Sequence, residues 1–238
     1  MTTRRKLAIV GRGKMGRAVE LLAPERGWEV VATIGSEENR DGGGISRESL
    51  RGAEVVVEFT NPAAAVPNVR AAVEAGCPIV VGTTGWLEQL PALRNWVEHK
   101  KGSVLAAANF SIGVNAFAEI VAFAAGLLGA VGGFDAHLVE THHAAKKDAP
   151  SGTALTLRQA AAGWPKEIPI TSVRTGYVPG THELIFDAPF ETVRLTHVAR
   201  DRRVFAEGAL TAAAWLPGRV GVYSMRDVLR SSARAGQP

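Results

Sequence analysis

The sequence predicts an α/β protein with a Rossmann-like, doubly wound parallel sheet and a second mixed α/β domain built on an open sheet. Three observations predict this fold class. A short apolar run leads directly into a glycine-rich segment at residues 11–16, apolar runs then alternate with helical stretches, and after Asn109 strand-like runs are separated by turn residues. The first two features are typical of a parallel sheet covered on both faces.

The elements of the first domain follow from these patterns in order. Residues 6–10 (KLAIV) form a strand, residues 18–23 a helix that stops near Pro24 and Gly27, and residues 28–34 (WEVVATI) a second strand. This order fits a right-handed βαβ unit. The same alternation then predicts the remaining elements: strands at 54–59, 79–81 and 104–107, and helices at 63–75 and 87–99.

The second domain begins with a long alanine-rich helix at residues 113–129. Its strands are predicted at 137–140, 170–173, 182–186 and 192–197, and helices follow at 206–216 and 225–229. We therefore predict a first domain made of residues 1–111 and 206–238, since the C-terminal segment returns to it. Residues 112–205 form the second domain, whose open sheet is a candidate for substrate binding and oligomerisation.

Composition narrows the class of protein. Hydrophobic residues make up 46% and charged residues 21%, as in an ordinary soluble globular protein. The apolar stretch at 116–131 is interrupted by Glu119, so no membrane span is predicted. A signal peptide is the alternative for residues 1–13, but the apolar run is short and ends in glycines, which favours a first strand and a cytoplasmic protein. The single cysteine, Cys77, excludes an internal disulfide and is interpreted as a small buried hydrophobe rather than a nucleophile.

The net charge of +4 is compatible with two kinds of partner. Lysines and arginines are scattered instead of gathered into one basic tract, and this argues against nucleic acid. An anionic small molecule and a phosphate-bearing cofactor explain the excess equally well. Charge alone does not choose between them.

The glycine loop carries the first functional signal. Gly11-Arg12-Gly13-Lys14-Met15-Gly16 fits G-x-G-x-x-G between a strand and a helix, where close backbone approach and the helix N-terminus suit a pyrophosphate. The alternative is a tight turn without a ligand. At the ribose end, Gly35 and Ser36 occupy the place where an acidic residue usually follows the second strand, and Glu37 comes late. A 2′-phosphate could instead meet one of three cations: Arg12, Lys14 or Arg40. The cofactor is therefore NADH or NADPH, with the preference open.

A second signal lies in residues 140–154, ETHHAAKKDAPSGTA. Two adjacent histidines, His142 and His143, with Lys146 close behind, concentrate proton donors and positive charge in one loop. Ser151 is a predicted N-cap, so the N–H groups of Gly152 and Thr153 are expected to form an anion site. A dicarboxylate would satisfy both ends.

Two other interpretations of this segment are weaker. Adjacent histidines on a strand or loop diverge and no third ligand has suitable spacing, so no metal is predicted. A solvated loop without function is the plainer alternative, and it suits Lys147 and Asp148 as a surface pair.

The segment resembles the signature E-x-H-H-x-x-K-x-D-x-P-S-G-T-A of the dihydrodipicolinate reductase family. The likeness extends over nearly the whole chain. It includes the glycine loop, FTNP at 59–62, GTTG at 82–85, AANFS at 107–111 and GVN at 113–115. It continues through RTG at 174–176, GTH at 180–182, residues 196–209, and GVYSMRDVL at 221–229.

The resemblance implies a reductase of the diaminopimelate route of lysine biosynthesis, 4-hydroxy-tetrahydrodipicolinate reductase, that transfers hydride from NADH or NADPH to a small dicarboxylate. It implies His142 as general acid, Lys146 as second proton donor and carboxylate partner, and His143, Gly152 and Thr153 as substrate ligands. It also implies a homotetramer. The residues expected to bind the cofactor are the glycine loop and Phe59, Gly82, Thr83, Thr84, Ala107, Ala108, Asn109 and Phe110.

Two further hypotheses compete with this one. A dehydrogenase of the same architecture could act on another substrate, and a regulatory protein could bind NAD(P)H without turnover. The complete set of His142, His143, Lys146, Gly152 and Thr153 argues against the first. A sensor has no need of a proton-donor pair, which argues against the second.

Overall fold

The computed structural model describes residues 4–235, with side chains as far as residue 231, and the chain divides into two units. Unit 1 contains the described residues up to Ile112 and those from Arg203 onward, and unit 2 is Gly113–Arg202. The chain returns to unit 1 at Arg203 instead of the expected 206, because the helix that follows begins there.

Unit 1 is built on a six-stranded parallel sheet, which confirms the predicted fold class. Its strands are β1 (Arg5–Val10), β2 (Trp28–Ile34), β3 (Val55–Glu58), β4 (Ile79–Val81), β5 (Ser103–Ala106) and β10 (Gly221–Tyr223), in the order β10-β5-β4-β3-β1-β2. The strand β10 was missed from sequence because its three residues, GVY, include a single β-branched residue and follow a turn. The order changes direction at β1, which lies between β2 and β3 and makes this the switch point of the sheet.

Helices cover both faces of this sheet, and this explains why its strands are apolar without alternation. They are α1 (Lys14–Leu22), α2 (Pro62–Glu74), α3 (Leu90–His99), α6 (Arg203–Trp215) and α7 (Met225–Ala235). One face packs Val56, Ile79 and Val81 against α2 and α3, and the other packs Leu7, Val57 and Leu105 against α1, α6 and α7. The carboxyl ends of β1, β3, β4 and β5 lead into the loops in which cofactor residues were predicted.

Unit 2 is a mixed four-stranded sheet with two helices on one face. The elements are α4 (Ile112–Val131), β6 (Asp135–His142), α5 (Gly152–Ala160), β7 (Ile170–Arg174), β8 (Gly180–Ala188) and β9 (Glu191–Ala199). The order is β7-β6-β8-β9, with β6 and β7 parallel and the other pairs antiparallel. Even-numbered residues of β6 and β8, such as Leu138 and Leu184, pack against α4 and α5, whereas the opposite face carries no helix.

The helix α4 is long and apolar enough, by length and composition, to cross a membrane. Within unit 2 it packs one stripe, including Phe117, Val121 and Ala125, into the core. Four large apolar side chains on another stripe are more than half exposed: Ile120, Phe123, Leu127 and Val131. Core helices of globular proteins pass the same length test, so this feature by itself does not assign a membrane.

Candidate functional site

The candidate site of unit 2 starts from the end of β6. The strand was predicted to stop at residue 140 with both histidines in a loop, but it continues to His142. Because side chains alternate along a strand, Glu140 and His142 share the inner face of the sheet, while His143 lies beyond the strand end. The sequence ETHH therefore places an acid and an imidazole side by side.

The register of the sheet brings three distant residues to the same place. Glu140 lies opposite Ser172 on β7 and His182 on β8, and His142 lies opposite Arg174. Glu140, His142 and His182 are buried, with side-chain exposure of 0% for Glu140 and 9% for His142. No sequence motif indicates this convergence, since only strand pairing produces it.

Glu140 is the common acceptor of the cluster. Its Oε2 bonds to Nδ1 of His142, and its Oε1 accepts from Nη2 of Arg174 at 2.6 Å and from the Ser151 N–H at 3.3 Å. Burial alone raises the pKa of this carboxyl, but hydrogen bonds from Arg174, Ser172 and His142 outweigh it and lower the pKa to about 2. Glu140 is therefore a carboxylate at neutral pH.

The ring of His142 is oriented by this carboxylate. With Nδ1 bonded to Glu140, the other ring nitrogen, Nε2, is left to exchange a proton. A methyl group on Gly180 would lie 3.0 Å from Nε2, so a glycine at this position lets β8 pass close to the ring. Burial lowers the pKa of His142, Glu140 raises it, and the positive charges of Lys146 and Arg174 lower it further, leaving it below the ordinary value.

His182 fixes the start of α5. Its Nε2 lies 3.2 Å from Oγ of Ser151, and that oxygen also accepts the Ala154 N–H at 3.1 Å. Ser151 is thus the N-cap of α5, as predicted. The hydrogen bond between Ser151 and His182 joins the two groups in either tautomer of the imidazole. Burial, with the neighbouring His142, lowers the pKa of His182 to about 4. His182 is neutral at physiological pH.

The remaining predicted residues of unit 2 surround this cluster. His143 and Thr153 are half-buried and Gly152 is exposed at the N-terminus of α5. Lys146 donates to both oxygens of Asp148, at 2.7 and 2.9 Å. Lys147 and Asp148 are both exposed, as the alternative of a solvated surface pair expects, but the ion pair of Asp148 is with Lys146.

The cluster does not suit a cation. Glu140, His142 and His182 have ligand atoms within 4.8 Å of one another, the spacing of a metal site. However, Glu140 and His142 are bonded to each other, and the guanidinium of Arg174 lies 2.6 Å from the same carboxylate. A fixed positive charge at that position opposes a second one.

In unit 1 the glycine loop follows β1 and begins α1. A Cβ on Gly11, which has φ +104°, would lie 2.0 Å from the backbone oxygen of Phe59, and one on Gly16 would lie 1.9 Å from the Gly11 oxygen. Gly13 is the N-cap of α1, and a methyl group there would meet no described heavy atom within 4 Å. The first and third glycines thus allow close packing, while the second leaves open space where a phosphate can approach the helix N-terminus.

The other predicted cofactor residues lie at the same edge of the sheet. Phe59 follows β3, Gly82, Thr83 and Thr84 follow β4, and Ala107, Ala108, Asn109 and Phe110 follow β5. A cleft of about 490 Å³ is lined by the loops after β1, β2 and β3, including Gly11, Gly13 and Asn61. Ligands of open α/β sheets bind outside the carboxyl ends of the strands, where this cleft lies.

The side chains of these predicted cofactor residues differ in their exposure and direction. Lys14 and Thr84 are exposed, Met15 is half-buried, and the Phe59 ring rests on Gly82, where a Cβ would lie 1.9 Å from the ring. Thr83 is buried, and its hydroxyl donates to Glu58 at 3.0 Å. That hydroxyl thus points to the protein interior.

At the end of β2, Glu37 and Glu38 both line the cleft, and the one with a described hydrogen bond to the strand end is Glu38. Its carboxylate accepts the Gly35 N–H at 2.9 Å and lies 3.3 Å from the Arg12 guanidinium. Arg12 also donates to the Thr33 carbonyl oxygen at 2.8 Å, whereas Arg40 is not among the residues that line the cleft. The signal for Glu38 was present in the sequence, because a carboxylate three residues after Gly35 can fold back to its N–H group.

Cys77 takes no part in either site. It is buried in the core of unit 1, and burial raises the pKa of its thiol to about 11. This confirms the interpretation of Cys77 as a small buried hydrophobe.

The chain matches two family models over nearly its whole length. "Dihydrodipicolinate reductase, N-terminus" covers residues 5–110, and "Dihydrodipicolinate reductase, C-terminus" covers residues 113–229. The chain is 33% identical to the 4-hydroxy-tetrahydrodipicolinate reductase of Christiangramia forsetii, over 94% of this chain and 97% of that protein. It is 37% identical to the enzyme of the same name from Zymomonas mobilis, over 94% and 96%.

A solved structure shares the fold. The dipicolinate-bound dihydrodipicolinate reductase from Paenisporosarcina superposes with a TM-score of 0.77 at 24% identity, covering 93% of this chain and 97% of that one. The identity is too low to carry more than the architecture. The two family models and the relatives at 33% and 37% identity show the family. The chain belongs to the dihydrodipicolinate reductase family of oxidoreductases.

Proposed function

We propose that the chain acts as a 4-hydroxy-tetrahydrodipicolinate reductase, reducing its cyclic dicarboxylate substrate to tetrahydrodipicolinate in the diaminopimelate route of lysine biosynthesis. The relatives at 33% and 37% identity carry this name. The observation that carries the proposal is the buried Glu140–His142 pair, because reduction of a conjugated imine needs a proton as well as a hydride. Units 1 and 2 are assigned to cofactor and substrate, respectively.

His142 is the proposed proton donor. Glu140 accepts from Nδ1 and stabilises the imidazolium, so that Nε2 can deliver a proton to the substrate. Arg174 and the Ser151 N–H hold Glu140 in place on the side away from the histidine. The roles resemble those of a buried acid and a histidine in other proton-transfer sites, in which the acid orients the ring and stays ionised.

The substrate carboxylates are assigned to the cations and the helix end near this pair. The N-terminus of α5, with Gly152 and Thr153, presents a positive dipole end to one carboxylate. Lys146 and His143 are proposed to meet the negative charge of the substrate, and Lys146 to serve as a second proton donor. Asp148 holds the Lys146 ammonium at 2.7 Å, so substrate has to compete with that carboxylate.

Unit 1 fits a nicotinamide dinucleotide. A bound reduced coenzyme supplies the hydride. Gly13 and the N-terminus of α1 are proposed to receive the pyrophosphate, since the open space there suits close approach. At the ribose end, the carboxylate of Glu38 suits a 2′-hydroxyl and the guanidinium of Arg12 suits a 2′-phosphate. Because both groups stand together, we propose that the chain accepts NADH and NADPH.

A homotetramer is proposed as the working assembly. A tetramer of dihedral symmetry needs at least two distinct interfaces. Unit 2 offers two candidate surfaces: the helix-free face of its sheet, which includes Val173 and Val198, and the exposed stripe of α4 with Phe123 and Leu127. The α4 stripe is apolar, and exposed patches of this kind often mark protein interfaces. The helix-free face of the sheet is mixed, with the valines beside the ion pair of Glu183 and Arg194. Light scattering behind a sizing column tests the mass.

The cellular setting follows from the proposed reaction. The pathway and its coenzymes belong to the cytoplasm, and no nucleic acid or membrane is needed. The buried Cys77 thiol needs no oxidising compartment. Fractionation of the host cell tests this assignment.

The test of function is reduction of the dicarboxylate, generated in place by the preceding synthase, with loss of reduced-nicotinamide absorbance. It is run with NADH and with NADPH on wild type, His142→Gln and Lys146→Ala. We expect turnover by wild type and a fall of about 10²-fold or more in kcat/KM for His142→Gln. Lys146→Ala is expected to raise KM as well, since it removes a partner of the substrate carboxylate.

The controls separate the alternatives. His137→Gln alters the only other described histidine of β6, which lies on the helix-free face, and is expected to leave kcat/KM unchanged. Wild-type binding of coenzyme without turnover of this substrate would support a changed substrate or a sensor. Turnover by His142→Gln at the wild-type rate would remove His142 as proton donor.

A further inference from the structure

A buried carboxyl group lies beneath the loops of unit 1. Glu58 is the last residue of β3 and is fully buried. Its Oε1 accepts hydrogen bonds from the hydroxyl of Thr60, from Nδ2 of Asn68 at 3.1 Å and from the hydroxyl of Thr83 at 3.0 Å. Among the described residues, its Oε2 has no partner. Oε1 of Glu58 therefore accepts three side-chain hydrogen bonds.

These donors tie together two loops that were assigned to the coenzyme. Thr60 belongs to the loop after β3, and Thr83 to the loop after β4. The hydroxyl of Thr83 also accepts the Thr60 N–H at 2.7 Å, so the two loops are joined both directly and through Glu58. Phe59, between Glu58 and Thr60, lays its ring on Gly82 of the second loop.

A third loop joins the same network. Asn68 on α2 accepts from Nδ2 of Asn39 at 2.7 Å, and Oδ1 of Asn39 accepts the Gly44 N–H at 3.2 Å. Asn39 and Thr60 both line the cleft of about 490 Å³. The network therefore reaches the loops after β2, β3 and β4, all at the carboxyl edge of the sheet.

A carboxyl group is an unusual choice for this position if it serves only packing. Burial raises the pKa of Glu58, which favours the neutral acid, and hydrogen bonds from the side chains of Thr60, Thr83 and Asn68 and from the Thr83 backbone offset this only in part. An apolar side chain of similar size avoids that desolvation. The gain from the acid is directional, since a single fixed acceptor sets the spacing between the two loops beyond the paired ends of β3 and β4.

We propose that Glu58 is a positioning residue for the coenzyme, holding the loops after β3 and β4 in the arrangement that receives the dinucleotide. This inference rests on the proposed function. Glu58 itself does not touch the ligand. It acts through Thr60 and Thr83, and its loss is expected to weaken coenzyme binding more than it slows the reaction of the bound complex.

The test measures dissociation constants of NADH and NADPH by calorimetry, together with KM, kcat and melting temperature. Glu58→Leu removes the acceptor but is at risk of not folding, so Thr83→Val and Thr60→Val are the principal variants. We expect each valine variant to raise the coenzyme dissociation constant about 10-fold, as for a buried hydrogen-bonding group left without its partner. For Thr60→Val, kcat at saturating coenzyme is expected to stay within about twofold.

Three comparisons distinguish positioning from general stability. Thr83→Ser keeps the hydroxyl and is expected to restore most of the affinity lost in Thr83→Val. Glu58→Gln keeps a neutral acceptor and is expected to bind coenzyme more tightly than Glu58→Leu. Val56→Ala removes packing from the same strand and face, so it is expected to lower the melting temperature without changing the dissociation constant.

Two results would overturn the inference. One is wild-type coenzyme affinity in Thr60→Val and Thr83→Val, and the other is an equal loss of affinity in Val56→Ala. If wild type turns over its substrate while the valine variants bind normally, only this inference fails. If wild type binds neither dinucleotide, the proposed function fails with it.

Discussion

The glycine loop of unit 1 and the end of β6 in unit 2 prepare for ligands in contrasting ways. The glycine loop has no room for side chains at Gly11 and Gly16, because methyl groups there would lie about 2 Å from backbone oxygens. At the end of β6 the chain concentrates side chains, with the buried Glu140 bonded to the buried His142 and to the partly buried Arg174. The first site depends on backbone shape, and the second depends on charge and hydrogen bonding. Substitutions in the two units should therefore impair ligand binding or catalysis for different physical reasons.

The largest effect is expected from Glu140→Gln. The substitution removes the negative charge beside the partly buried guanidinium of Arg174, and the single carbonyl oxygen of glutamine cannot replace both oxygens that bond to Arg174 and His142. We expect a fall in kcat/KM of about 10³-fold and a loss of about 3 kcal/mol in the free energy of unfolding. Steady-state kinetics and urea denaturation measure the two quantities.

Glu167→Gln is the matched control, because its ion pair with Arg158 lies on the surface of the same unit, with Glu167 84% exposed. Exposed pairs contribute little, so neither quantity should change appreciably. Equal behaviour of the two variants would show that burial of the Glu140 pair has no special importance.

The glycine loop is probed by a pair of alanine variants. Gly11→Ala places a methyl against the Phe59 carbonyl at a backbone φ of +104°, so little folded protein is expected. Gly13→Ala meets no described atom within 4 Å, and its φ of −73° suits alanine. We expect Gly13→Ala to melt like wild type but to bind coenzyme about 10-fold more weakly, because the methyl enters the space for the pyrophosphate.

Thermal melting and coenzyme titration separate the two cases. Normal coenzyme affinity in Gly13→Ala would place the pyrophosphate elsewhere. A melting temperature of Gly13→Ala far below that of wild type would mean that this glycine, too, serves packing.

The glycine loop was the more predictable of the two regions. Strand β2 was predicted to the residue and β1 to within one residue, since apolar runs act on their immediate neighbours. The start of α1 was predicted at residue 18, four residues late, because the helix already begins inside the glycine loop at Lys14. The strand β10 was not predicted although β4, of the same length, was, because GVY contains one β-branched residue whereas all three residues of β4 are β-branched. The pairing of β10 with β5 is a tertiary contact.

The cluster in unit 2 could be predicted only in part. The segment at 140–154 pointed to His142 and to the Ser151 cap, both of which depend on short spacings. Arg174 and His182 come from β7 and β8, and only the register with β6 brings them to Glu140. The strand β6 was predicted to end at residue 140, two residues before its observed end at His142. An error of this size hides the alternation that places Glu140 and His142 on one face.

The pH dependence of the reaction tests the charge-based site directly. If His142 is the acid, the active form carries the proton, so activity falls as pH rises through its pKa. Burial and the nearby cations lower the pKa of His142 in the free protein, and the fall in kcat/KM should therefore be centred below the ordinary histidine value. Bound dicarboxylate adds negative charge and raises the pKa, so the fall in kcat should be centred at higher pH.

Rate profiles for wild type and Glu140→Gln measure both effects. The variant loses the charge that raises the pKa of His142, so any remaining profile should move further toward acid. A kcat/KM that rises with pH across this range would contradict the assignment of His142 as an acid.

The smallest expected effect is the loss of unfolding free energy when a helix cap is removed, and it can be compared for one cap from each unit. Ser151 caps α5 by accepting the Ala154 N–H at 3.1 Å, and Asn61 caps α2 by accepting the Ala64 N–H at the same distance. The bonds are alike, but Ser151 is 2% exposed and also contacts His182, whereas Asn61 is exposed. Loss of a cap costs about 0.5–2 kcal/mol, with the higher value expected where the freed groups cannot reach water.

We therefore expect Ser151→Ala to lower the free energy of unfolding by about 2 kcal/mol and Asn61→Ala by about 0.5 kcal/mol. Ser151→Ala should also raise KM for the dicarboxylate, because α5 loses the contact that fixes its N-terminus near the cluster. Urea denaturation and steady-state kinetics on both variants make the measurement. Equal losses of stability would mean that the His182 contact adds nothing to the cap, and that charge and burial set the two units apart only at Glu140 and His142.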